Sequence, residues 1–181
     1  MCSLGQPSAA VSPPHGPAPL APGLVRRMAS FVYEGLLLFG VLMLSGWMYG
    51  SMTQQRHALQ GRTGLQGVVF AVLGLYFVWF WSHGGQTLAQ KTWRLRVTAA
   101  DGRPPGAPRA ALRYLLSWLW FLPSLAAIHL AGLSSATAIG STVLAGILAY
   151  AASSRLLPGR QFLHDVLSGT RIVDVPAVVR R

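Results

Sequence analysis

Four carboxylates, one lysine and one cysteine are all that a chain of 181 residues holds of those kinds. The lone cysteine, Cys2, excludes an internal disulfide, has no residues before it to form a lipoprotein cleavage site, and argues against redox chemistry. No Cys/His pair stands at metal-ligand spacing, so no metal or other cofactor is expected. Ser134, Ser135, Ser141 and Thr142 lack any Ser-His-Asp or nucleophile-elbow context. They read as helix-packing residues, and the chain reads as no enzyme. Residues 1–24 lack the basic and uninterrupted apolar regions of a signal peptide, and prolines interrupt them. An uncleaved, disordered Pro/Ala-rich tail is expected there.

What is abundant is apolar length. Hydrophobic residues make up 52% and charged residues 10% of the chain, with a mean hydropathy of +0.44, too apolar for an ordinary soluble domain. A spanning helix needs about 20 mainly apolar residues to cross a hydrocarbon core about 30 Å thick. Four segments qualify, at about 28–50, 65–83, 110–130 and 134–153. Pro123 is expected to kink the third. The fourth is rich in small residues, with Gly140 and Gly146 admitting a close neighbour, and reads as an interior helix. Trp47, Tyr49, Trp79, Trp81 and Tyr114 mark the ends of these runs, where amphipathic rings sit at a bilayer surface. The fold class read from this pattern is an all-α membrane protein, a four-helix transmembrane bundle.

The net charge of +11 would suit nucleic acid, but the basic residues lie between apolar runs and form no continuous face with stacking aromatics. Topology accounts for them instead. Four spans place 13 of the 15 Lys/Arg on the side of the termini and the second loop, and only Arg56 and Arg62 on the other. Such a bias predicts cytoplasmic termini in a plasma membrane. Fourteen arginines to one lysine, with much Ala, Gly and Pro, suggest a GC-rich bacterium, hence its inner membrane.

The loop 84–109 is too patterned for a tether. Trp93 to Thr98 alternates apolar with polar, a turn signal follows at Asp101-Gly102, and Thr170 to Val175 is β-branched. These two runs are expected to pair as a small interfacial sheet, because an isolated strand would leave its backbone unsatisfied. Residues 176–181 form a short basic end.

Three stretches together resemble the RDD family of bacterial multi-pass membrane proteins. Arg27 lies seven positions before Glu34 in the first span, where the family carries an arginine and an aspartate. Gly85-Gln86-Thr87-Leu88, continuing to Leu95-Arg96-Val97 and Asp101-Gly102, resembles the loop after its second span. Arg160-Gln161-Phe162-Leu163-His164-Asp165 with Gly169-Thr170 resembles its C-terminal signature. Two departures stand out: Glu34 replaces the first aspartate, and Ala89-Gln90 replaces a small-basic pair. The resemblance implies the architecture and an activity related to transport.

Seven residues bring Arg27 and Glu34 within about 20° on one helix face, about 10 Å apart along the axis. An ionised side chain at a helix centre costs about 2.5 to 3.5 kcal/mol, less near an interface. Glu34 should therefore face the bundle interior in the company of cations. Arg27, Glu34 and Asp165 are the candidate site, with Arg26, Gln86, Thr87 and His164 as accessory polar residues. Either the three make a proton, ion or solute site, or they form a structural cluster in a membrane scaffold or assembly factor. His83 and His129 lie close to a membrane edge, and His83 reads as an interfacial hydrogen-bonding residue. Arg94, Arg96, Arg103 and Arg109 are expected to meet anionic lipid headgroups. Four short spans enclose little space, so a pore would need a second copy or another membrane protein.

Overall fold

Four long apolar runs become four spanning elements. The computed structural model describes residues 21–53 and 62–175; most of the expected N-terminal tail, Arg56 and the basic C-terminal end lie outside them. The first two spans are single helices, α1 (Leu24–Met52) and α2 (Arg62–Gly84). The third is broken into α4 (Ala107–Ser117), a 3-10 turn (Trp118–Trp120) and α5 (Leu122–Leu130), and the fourth is α6 (Ala136–Ser153). Between the second and third lie the short α3 (Leu88–Thr92) and strand β1 (Leu95–Ala99), and after the fourth come α7 (Leu163–Leu167) and strand β2 (Thr170–Asp174).

All four spans are long and apolar enough to cross a membrane. The first begins earlier than the sequence suggests, and Ala21, inside the expected tail, donates its N–H to the Gly159 carbonyl at 2.9 Å. The break in the third span falls upstream of Pro123 rather than at it. Proline has no N–H to donate, and its ring excludes the carbonyl four residues back, so the chain tightens over Trp118–Trp120 and Pro123 sits in the first turn of α5.

β1 and β2 pair antiparallel, from Leu95 opposite Asp174 to Ala99 opposite Thr170. Leu95, Val97 and Ile172 are buried while Arg96 and Asp174 are exposed, which is why alternation was readable there. With Trp81, Tyr114, Trp120 and Phe162 they form the core, concentrated at the end of the bundle that carries the sheet. Trp81 and Tyr114 are thus core residues, not a surface belt: Phe77 stacks on Trp81 at 4.9 Å, and the Tyr114 hydroxyl donates to the Phe70 carbonyl at 2.7 Å. Trp47 and Trp79 are exposed, as expected of interfacial rings.

α6 is not an interior helix; Ala151 is its only buried residue. Gly140 faces open space, whereas a Cβ on Gly146 would run into the Ser124 hydroxyl of α5, so the close approach is made at one glycine. Its polar residues do not pack helices together either. Ser135 caps α6 through the Ala138 N–H, Ser141 and Thr142 bond back to the Ala138 carbonyl, and Ser134 is exposed in the preceding loop.

Candidate functional site

The inward face of α1 is polar where its surroundings are not. Arg27, Ser30 and Glu34 recur at three- and four-residue spacing, followed by Leu38, and all are buried. Glu34 does face inward, but its company is not cationic. The Tyr76 hydroxyl of α2 donates to its Oε1 at 2.7 Å, and the Thr87 hydroxyl donates to its Oε2. Two hydroxyls therefore stand where the charge pattern pointed to arginines.

Thr87 is held by the segment that resembled a family motif. Gly85 adopts φ +72°, and a Cβ there would lie 2.5 Å from the Val97 carbonyl oxygen, so only glycine fits the joint between α2 and β1. Gln86 donates to the Leu95 carbonyl at 2.6 Å. Thr87 and Gln90 form a capping box at the start of α3, and Gln90 Oε1 also accepts from the Trp81 indole at 3.2 Å. Gln90 thus serves as a cap, a role that a basic side chain could not fill in the same way.

Asp165 is 0% exposed, and its partner is an arginine outside the expected site. Arg113 of α4 donates from Nε and from Nη2 to the same oxygen, Oδ1, each at 2.8 Å. Its guanidinium also lies 4.1 Å from the Trp81 ring centroid. An arginine at the start of an apolar run, unless it can snorkel out, needs a counter-ion; that was the available signal. His164 packs alongside, with Nε2 3.4 Å from Asp165 Oδ1 and Nδ1 2.9 Å from the Tyr150 hydroxyl. Burial pushes its pKa down to about 4, against the raising effect of Asp165 and with Arg113 and Arg27 adding to the fall. The ring is therefore neutral at pH 7 and shares a hydrogen bond with the Tyr150 hydroxyl through Nδ1. Gln161 grips β2 through both ends of its amide, donating to the Ile172 carbonyl at 3.0 Å and accepting its N–H at 2.9 Å.

Arg27 joins neither carboxylate. Among the described residues it has no ion pair or side-chain hydrogen bond; its guanidinium lies 4.2 Å from the Phe162 ring centroid, and Nε and Nη1 are buried without partners. Asp165 Oδ2 is likewise unpartnered. Leaving such a group unpaired costs about 1–3 kcal/mol, more when charged. The structure thus splits the expected trio into a Glu34 arm, an Arg113–Asp165 arm and an open arginine. All three arms meet a cavity of about 380 Å3, lined by Arg27, Glu34, Arg113 and His164 among aromatic and aliphatic side chains.

The accessory residues divide. Arg26 is half-exposed, pairs with Asp174 at 2.6 Å and donates to the Trp93 carbonyl at 2.7 Å, tying α1 to the sheet. Arg94, Arg96, Arg103 and Arg109 are exposed at the sheet end. His83 is exposed, stacks on Trp79 at 3.9 Å and contacts Ser82, and His129 is exposed. No group of three potential metal ligands occurs among the described residues.

Comparison with curated proteins and with solved structures finds no match to this chain. Comparison with protein families does: the RDD family profile matches residues 21–169. That stretch includes both carboxylate arms, the joint at Gly85 to Thr87 and all four spans, and on it the chain belongs to the RDD family.

Proposed function

We propose that this membrane protein is a non-enzymatic, transport-related component of a bacterial inner membrane, handling a small ion or solute or assisting a carrier that does. Arg27, Glu34 and Asp165 are its central polar residues, with Arg113 added to them. The observation that carries this reading is the cavity between the spans, faced by a buried arginine with no counter-ion among the described residues and by a carboxylate held by two hydroxyls. A bundle shaped for stability alone gains nothing from an unpaired buried arginine. The arginine bias supports an orientation with the sheet end in the cytoplasm, where Arg94, Arg96, Arg103 and Arg109 meet anionic headgroups. Flux through so small a bundle calls for a second copy or another membrane protein.

A scaffold reading has its own support, since Asp165 is tied to Arg113 and Glu34 to Tyr76 and Thr87, as structural groups would be. Glu34→Gln separates the two. Folded yield in detergent and ion or proton flux in proteoliposomes are measured together; flux lost at normal yield supports transport, whereas a fall in yield with no wild-type flux leaves only the scaffold. Cysteine accessibility at positions 62 and 103 checks the orientation, and labelling of position 103 from the periplasm would overturn it.

A further inference from the structure

Arg27 is 5% exposed, and its guanidinium carbon lies 4.2 Å from the Phe162 ring centroid. Its Nε and Nη1 are buried with no hydrogen-bond partner among the described residues, so donors of this group remain unused. Both nearby carboxylates are committed elsewhere, Glu34 to Tyr76 and Thr87, and Asp165 to Arg113. Beyond Arg27 the cavity wall is mostly apolar, with Phe31, Leu38, Leu42, Phe77, Trp118 and Phe121 along it. Its volume of about 380 Å3 lies within the usual span of small-molecule sites, which combine an apolar lining with a few convergent polar groups. Two lining residues, Val32 and Gly35, are exposed on the outer surface of α1, so the rim reaches the hydrocarbon side of the span.

We propose that this cavity holds an anionic amphiphile drawn from the bilayer, with a carboxylate or phosphate headgroup on Arg27 and a single hydrocarbon chain along the aromatic wall. A guanidinium edge suits such oxyanions because it offers parallel N–H donors. A bare inorganic anion would leave the apolar wall empty, and a neutral lipid would leave Arg27 unpaired. The rim opening toward the acyl region gives the ligand a route that does not cross water. This inference rests on the transport reading for its meaning, by naming the substrate class, but the site itself is an equilibrium property.

The test uses tryptophan quenching, because Trp81, Trp118 and Trp120 line the cavity. The full chain in nanodiscs of zwitterionic lipid is titrated at pH 8.5 with brominated palmitic acid and with the brominated alcohol of equal chain length. Saturable quenching by the acid at a membrane concentration at least tenfold below that of the alcohol is expected. Arg27→Gln should abolish that advantage and Arg27→Lys restore part of it, while millimolar inorganic phosphate should not displace the acid. Equal quenching by acid and alcohol, or an acid preference that survives Arg27→Gln, overturns the site. Displacement by phosphate makes it a free-anion site and overturns the amphiphile. Should Arg27→Gln fail to fold, the wild-type comparison of acid with alcohol decides alone. Binding without flux removes the transport reading and keeps this site; flux without acid preference does the reverse.

Discussion

Glu34 and Asp165 face one problem and solve it differently. Both are buried acids, but Glu34 lines the cavity on a spanning helix and is held by two hydroxyls, whereas Asp165 sits on a five-residue helix beyond the last span and is held by an arginine that lines it. Hydroxyls can accept as well as donate, so the Glu34 arrangement tolerates a neutral side chain. A guanidinium cannot accept, and its charge is fixed. The Asp165 arm therefore behaves as a clamp between α4 and α7, while the Glu34 arm can change its protonation without coming apart.

Breaking the clamp should have the largest effect. Arg113→Met leaves Asp165 buried and unpaired and is expected to cost about 3–5 kcal/mol, read as a lost thermal transition or folded yield in detergent. Adding Asp165→Asn should recover much of that loss, because the stranded charge goes. The next effect is pH dependence. His164 folds neutral with its pKa near 4, so between about 6.5 and 4 the unfolded chain binds the extra proton. Stability is complete above the unfolded value near pH 6.5 and falls as pH drops toward 4, by up to about 1.4 kcal/mol per unit. Thermal midpoints of wild type and His164→Asn across that window check it; parallel curves would remove His164 as the cause.

Glu34→Gln comes third, at about 1–3 kcal/mol, the worth of hydrogen bonds to a charged acceptor. If its cost equalled that of Arg113→Met, the contrast between the two arms would collapse. Smallest is Arg26→Ala. The Arg26–Asp174 pair has side chains 42% and 51% exposed, and solvent screening limits such pairs to about 0–1 kcal/mol.

The spans were legible because apolar length is a one-dimensional signal, and the strand pair because alternation survives in Leu95 to Val97 and Thr170 to Ile172. The site was only partly so. Helix geometry put Arg27 and Glu34 on one face, as found, but a shared face is not a contact across about 10 Å of axis. Partners on other elements decided the rest, and nothing local marks Tyr76 or Tyr150, each inside an apolar run, as the partner of Glu34 or His164. Arg113, near the start of the third apolar run, is buried because Asp165 returns to it 52 residues later, a separation that no local pattern encodes.

The family profile ends at residue 169, one residue before β2 begins. A fragment trimmed to that boundary would take from β1 its partner strand, Asp174 from Arg26 and Ile172 from Gln161. The unit recognisable by descent is shorter than the unit that closes on itself, so expression clones should run to Val175 at least.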